Sequence, residues 1–307
     1  MGIDMESGES RVVANLGPPL DNLAVGPDAV LYVSRPSDNS IFAVNPKTGG
    51  HRTLILGHLA APGALIVDPQ VSQLLVADVF GYRMVDPATG AVSTPPFDLF
   101  ANGSTGIAAD ENNLVISNLL RSAITVKDRK SGKNLQLWTS VKTPMHLAIR
   151  DGRILAADFS AGEIVELSLD GPKAKRVVAA GLAGPVGLAV AQDGRLIVSE
   201  ALSGRLVEID PRGKIKTIVD GLRQPEGLAL DAEGNFIIAE VGARRVIMVQ
   251  LDSRRTQVIA ADLPLGSALG AGVLPVNLPT GVAVAADGSI YVNCDINNSN
   301  MALRPAK

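Results

Sequence analysis

Along most of this chain, short apolar runs alternate with turn formers, and residues 184–222 show the unit plainly: GPVGLAVAQDGRLIVSEALSGRLVEIDPRGKIKTIVDGL. Four β-rich segments, GLAVA, LIVSE, RLVEI and KTIV, are separated by QDG, LSG and DPRG, whose Gly, Asp and Pro residues supply turns. The pattern predicts a four-stranded antiparallel meander. Such a sheet is apolar on both faces, so it must bury both against neighbouring copies of itself.

The copies are present. The apolar residue of the first segment recurs as Leu23, Leu65, Ile107, Leu147, Leu188, Leu228 and Val282, a period of about 41 residues with one insertion of about 13 before the last copy. The expected fold is all-β: a single β-propeller domain over residues 1–307 with seven four-stranded antiparallel blades, or six if the first or last copy is irregular. Only about 25 residues follow Val282, too few for a fourth strand of the last copy. The segment SRVVANLG at 10–17 resembles KTIVDGL, and we expect it to complete the last blade and close the ring, removing an exposed edge.

Composition agrees. The chain is 46% hydrophobic and 19% charged, with 3% aromatic residues and 31 glycines, which points to small, β-branched packing and many turns. With a net charge of −3 and no basic cluster beyond the pairs at 244–245 and 254–255, nucleic acid is not an expected partner. The single cysteine, Cys294, excludes an intramolecular disulfide. The opening MGIDMESGESR carries acids where a secretory leader has basic and apolar residues, which leaves a soluble protein of the cytoplasm, or one exported and trimmed, both open. Residues 263–286 are uncharged, but Pro264, Pro275 and Pro279 favour a loop and strand over a membrane span. Part of that stretch, 264–277, is expected to act as a lid.

The recurring phrase P-x-G-L-A-V…D-G-x-L-x-V-x-[DE]…S-G-R-[LI] resembles the NHL-repeat propellers and the wider gluconolactonase-like superfamily that includes the senescence-marker lactonases. Length and period resemble, more loosely, the virginiamycin B lyase family. These resemblances imply a small-molecule substrate at the mouth of a central channel. They also imply a lactonase-like hydrolase or a ring-opening lyase, or else a non-catalytic propeller that binds proteins. The gluconolactonase-like resemblance further implies one divalent cation (Ca, Mg or Zn) and no organic cofactor.

Because blades repeat, a residue found in most copies builds the scaffold, and a polar residue unique to one copy marks a candidate site. The second segments end in Arg35, Asp78, Asn118, Asp158, Glu200, Glu240 and Cys294 or Asp295. Recurring acids there are expected to accept turn N–H groups; Arg35 breaks the pattern and either neutralises an acid or holds a substrate anion. The x of P-x-G reads Asp21, Gly63, Thr105, Met145, Val186, Glu226 and Thr280. Asp21 and Glu226 are the expected metal ligands. Thr105, Met145, Thr280, Asn22, Arg35 and His58 are expected around the substrate.

The glycine position reads Asn22, Ala64, Gly106, His146, Gly187, Gly227 and Gly281. Ala64 argues that close approach, rather than positive φ, demands glycine here. His146 is either a structural imidazole or a general base or acid, oriented by Asp158. The lyase resemblance implies a catalytic histidine in P-H-G, paired with the acid ending the next strand. Here the histidine stands one place later, in P-M-H, a shift that reverses side-chain direction in a regular strand.

Overall fold

In the computed structural model, strands form where the repeat places its apolar runs. The description covers residues 2–4, 10–17, 20–68, 72–79, 81–93, 104–119, 121–170, 173–191, 193–250, 253–266, 281–285, 287–294 and 299–304. For residues 2–4, 10–11, 104–105, 294 and 299–304 it covers the backbone alone. Blade one comprises Leu23–Val25, Leu31–Arg35, Ser40–Val44 and His51–Leu56. Blade two comprises Leu65–Asp68, Gln73–Asp78, Gly81–Val85 and Val92–Ser93. Blade three comprises Ser104–Ala109, Asn113–Asn118, Ala123–Asp128 and Asn134–Trp138. Blade four comprises Pro144–Arg150, Arg153–Asp158, Glu163–Ser168 and Lys175–Ala180. Blade five comprises Pro185–Val190, Leu196–Glu200, Arg205–Ile209 and Ile215–Val219. Blade six comprises Pro225–Leu230, Phe236–Glu240, Arg245–Val249 and Thr256–Ala260.

Among the described residues the regular unit occurs six times, not the seven expected, and the remaining strands make a different sheet. This terminal sheet has five strands in the order Gly2–Asp4, Ser10–Asn15, Ser299–Arg304, Ile290–Cys294, Val282–Val284. The last copy lacks length for an outer strand of its own, and Ser10–Asn15 pairs antiparallel with Ser299–Arg304 in that place. Gly2–Asp4 adds a further strand, which the repeat does not foretell.

The core lies between sheets. Leu155, Ala157 and Ile164 of blade four pack with Leu188, Val198 and Val207 of blade five. On the terminal sheet, Ile290 and Val292 pack on blade six, while Tyr291 and Ala285 pack with Val13, Leu23 and Leu31. The second strand LIVSE is therefore buried along its whole length, whereas the outer strand KRVVAA begins exposed. Each Leu, Ile or Val enclosed this way contributes roughly 1.5–3 kcal/mol. Among the described residues no helix is long and apolar enough to cross a membrane.

One irregularity recurs. The register slips at the start of the innermost strand in blades three to six, between Ser104 and Ile107, Pro144 and His146, Pro185 and Leu188, and Pro225 and Leu228. Two residues there oppose one on the second strand, which is a β-bulge at the x-Gly step and re-aims its side chains.

Candidate functional site

The bulged starts of the innermost strands and the ends of the second strands share one end of every antiparallel blade, so all the expected site residues on them lie at that end. The glycine position there is crowded. A Cβ on Gly187 would fall 2.7 Å from the Glu226 carbonyl oxygen, 2.7 Å from Ser199 Oγ and 2.9 Å from Leu228 Cβ. On Gly106 it would lie 3.0 Å from Ser117 Oγ and 3.3 Å from the Met145 carbonyl oxygen. Neither glycine has positive φ, so approach of the next blade is what excludes a side chain.

The serines in that list are fasteners. Ser199 Oγ accepts from Gly187 N–H at 2.8 Å and donates to the Glu226 carbonyl of the next blade at 2.9 Å. Ser34 Oγ accepts from Asn22 N–H at 3.1 Å and donates to the Gly63 carbonyl at 2.9 Å. Blade four has no such hydroxyl, because Ala157 stands there, opposite His146. An imidazole occupies the place where blades three, five and six carry glycine, blade two Ala64 and blade one Asn22.

His146 has no hydrogen-bond or ion-pair partner among the described residues. Burial lowers its pKa from 6.5 to about 4, because an imidazolium loses hydration that nothing replaces. The residue as a whole is half-buried, and protein surrounds the ring. Met145, its neighbour in the chain, packs with Leu119, Phe159, Val186 and Ala201 in a small apolar cluster contributed by blades three to five. The bulge between Pro144 and His146 also interrupts strand alternation, so the one-place displacement from P-H-G does not by itself turn the side chain away.

Asp158 makes no hydrogen bond to that ring among the described residues. Its carboxylate accepts from the N–H groups of Lys142 at 2.7 Å, Thr143 at 3.0 Å and Ala161 at 3.2 Å. The equivalent residues do the same work: Asp78 accepts from Ala60 and Val79 N–H, Glu200 from Ala183, Glu240 from Arg223, and Asn118 from Arg121. The recurring carboxylates and amide thus fasten the loop before the innermost strand or the turn after the second strand, as the repeat argument expects. Where Glu200 and Glu240 also pair with Arg205 and Arg245, Asp158 faces Glu163.

The other expected residues divide. Arg35 is committed to the Asp38 carboxylate and the Leu16 carbonyl and stacks on Phe42; it neutralises an acid, and it lowers the Asp38 pKa. Asn22 is half-buried, with Oδ1 accepting from Leu23 N–H at 2.8 Å. His58 is exposed in a loop with φ of 61°. Met145 is buried in the apolar cluster. The Thr105 side chain, Thr280 and the expected lid from residue 267 onward lie outside the described residues; Leu263 and Leu265, which lead into the lid, are buried on blade six.

Asp21 is half-buried, while Glu226 is wholly buried and accepts from Gln224 Nε2 at 3.1 Å. Two carboxylates are too few for a divalent cation's usual set of oxygen or nitrogen donors. Among the described residues no three His, Cys, Asp or Glu side chains gather to complete one. We derive no step through a metal.

The serine fasteners do not stand out in the recurring phrase. Serine does recur at alternate copies, in YVSR, VISN and LIVSE, which is the signal that could have found the fasteners.

No protein-family model matches the chain, and no curated protein matches its sequence. Among solved structures it is similar to a streptogramin B lyase (TM-score 0.78, 15% identity, 96% of each chain covered). It is also similar to a catalytically inactive histidine-to-alanine variant of virginiamycin B lyase from Staphylococcus aureus with quinupristin (TM-score 0.77, 13% identity, 96% of this chain and 97% of that one). The WD40 β-propeller domain of Doa1 fits about as well (TM-score 0.76, 13% identity, 96% of each chain). What is shared is a fold. Of the two resemblances read in the sequence, the looser one has these structural neighbours, and no family model supports the gluconolactonase-like one.

Proposed function

We propose that this chain is a small-molecule enzyme that opens a cyclic ester at the end of the propeller where the innermost strands begin, by elimination rather than hydrolysis, with His146 as the base. The observation that carries the reading is the imidazole itself: it alone replaces glycine with a titratable side chain in the innermost ring, and it is neutral near pH 7 and free of partners among the described residues. The lyases among the structural neighbours are consistent with it, although proteins of the same fold carry unrelated functions.

The step balances without water. His146 takes a proton from a carbon next to an activating carbonyl; the C–H electron pair becomes a double bond to the adjacent carbon, whose bond to the ester oxygen breaks. That oxygen leaves as a carboxylate. An apolar surround disfavours the imidazolium formed, and the carboxylate created beside it supplies the counter-charge. The cluster of Met145, Phe159 and Val186 suits an apolar part of the substrate next to the bond that breaks.

The test is mass spectrometry of quinupristin and a panel of simple lactones after incubation with the protein. Elimination gives a ring-opened isomer of unchanged mass, and hydrolysis gives a product heavier by one water. His146→Ala should lower kcat/KM by roughly 100-fold or more, and a chelator should change nothing. Unchanged turnover in His146→Ala would defeat the proposal. An empty screen alongside a protein complex lost on mutating exposed loops would favour a non-catalytic binding propeller.

A further inference from the structure

At the end of the blades where His146 lies, two further positions are matched from copy to copy. One is the residue before the proline that opens the innermost strand, and the other is the second residue after the acid that ends the second strand. Blade four carries Thr143 and Ser160 there, whose hydroxyls share a hydrogen bond of 2.6 Å. Blade six carries Gln224 and Gly242, and Gln224 donates to the Glu226 carboxylate. Blade five carries Gly184 and Leu202.

Gly184 has φ of 63°, but Ala61 and Gln224 adopt φ of 51° at the same place, so backbone conformation does not demand glycine in blade five. Space does. A Cβ on Gly184 would fall 2.7 Å from Leu202 Cγ and 2.8 Å from Cε2 of Phe159 in blade four. The missing side chain lets a leucine of one blade meet an aromatic ring of the next over the backbone. Phe159 is buried in the apolar cluster with Met145, which adjoins His146 in the chain. Leu202 is 55% exposed, and its N–H donates to the Ala183 carbonyl at 3.2 Å, which holds the turn that carries it. A stray exposed leucine needs no explanation. This one has room made for it by Gly184 and extends the Met145 cluster to the surface.

We infer that Leu202, resting on Phe159, is a specificity residue that receives an apolar substituent of the ligand, so that the protein selects cyclic esters bearing such a group over bare rings. Apolar walls supply affinity for a small molecule, and the few polar groups beside them fix its orientation. The inference rests on the preceding reading in taking a cyclic ester as the ligand; it does not require that His146 opens it.

The test is calorimetric titration with γ-butyrolactone, γ-octalactone and γ-decalactone, together with kinetics on quinupristin. Wild-type affinity should rise along the series, by about tenfold for the two methylenes between the last two lactones. Leu202→Ser copies the residue of blade four onto an exposed turn and should shrink that increment below about threefold, whereas Leu202→Met and His146→Ala should keep it. With quinupristin, Leu202→Ser should raise KM about tenfold and leave kcat unchanged. No increment in the wild type, or the same increment in Leu202→Ser, would overturn the inference. An increment lost in Leu202→Ser while His146→Ala opens quinupristin at the wild-type rate would defeat the ring-opening proposal and spare this one. Quinupristin opened by the wild type but not by His146→Ala, with KM unmoved in Leu202→Ser, would do the reverse.

Discussion

Blades four and five are adjacent copies of one design that differ at three matched places. Blade five has Gly187, the Ser199 fastener and the Glu200–Arg205 ion pair at 2.6 Å; blade four has His146, Ala157, and Asp158 facing Glu163. Each element in blade five is explained by holding blades together. Its glycine lets the next strand approach, its hydroxyl bridges the seam, and its acid is neutralised. Blade four drops the hydroxyl and the cation, and puts a bulky titratable ring where approach is closest. The hydroxyl is absent from blades two and six as well, which carry Ala77 and Ala239; what sets blade four apart is the imidazole beside an acid that faces Glu163, and that pairing argues for a site.

Four experiments would break or sharpen this contrast. The largest effect should come from a position where the blades agree. Asp158→Ala strands the N–H groups of Lys142, Thr143 and Ala161 and should cost about 4 kcal/mol in chemical denaturation. Asp158→Asn, which retains an acceptor, should leave the pH profile of turnover unmoved. A shifted profile would restore a role for Asp158 in orienting His146.

Gly187→His, copying blade four into blade five, drives a side chain into the Glu226 carbonyl and Leu228 and should lower stability by about 3 kcal/mol. His146→Gly should be close to neutral for folding. If Gly187→His is tolerated, the close-approach explanation fails.

The third experiment is a pH series. The folded-state pKa of His146 is depressed to about 4 from 6.5, so between those values the unfolded chain binds the proton and the native one does not. Stability from this residue is fully present above pH 6.5 and is lost as pH falls toward 4, by at most about 3 kcal/mol. His146→Ala should flatten that part of the stability curve, and wild-type kcat/KM should rise through pH 4 and level off before neutrality. A midpoint near 6.5 would show a solvated imidazole.

The smallest effect belongs to Ala157→Ser, which returns a hydroxyl opposite His146. It should change stability by less than about 1 kcal/mol and reduce turnover if the new hydroxyl engages the ring. No change in turnover would mean that the imidazole points away from Ala157.

Much of this was legible because the blades repeat. The period placed each innermost strand, and the exception at Ala64 correctly named crowding as the reason for glycine. The recurrence of Asp78, Glu200 and Glu240 at one place marks them as fasteners, and their N–H partners agree. For Asp158 the repeat and the lyase resemblance point to different tasks, a fastener and a partner of His146, and the hydrogen bonds from Lys142, Thr143 and Ala161 are those of the fastener. Arg35 was ambiguous for a related reason: Asp38, its partner, lies only three residues on, but the short 3-10 turn Pro36–Asp38 that brings it round is not written in the apolar pattern.

The amino-acid order alone determined the sheet unit, its period and the position of every oddity, since alternation and turn residues are local properties of the chain. What surrounds each oddity was decided by neighbours from other blades. Crowding at Gly187 comes from Glu226 and Leu228, and crowding at Gly281 comes from Asn22 at the far end of the chain. The depressed pKa of His146 likewise follows from burial in the folded protein. Desolvation and unpaired hydrogen bonds exist only once sheets stack, so a string of residues can mark where the chemistry would sit but not what state it holds.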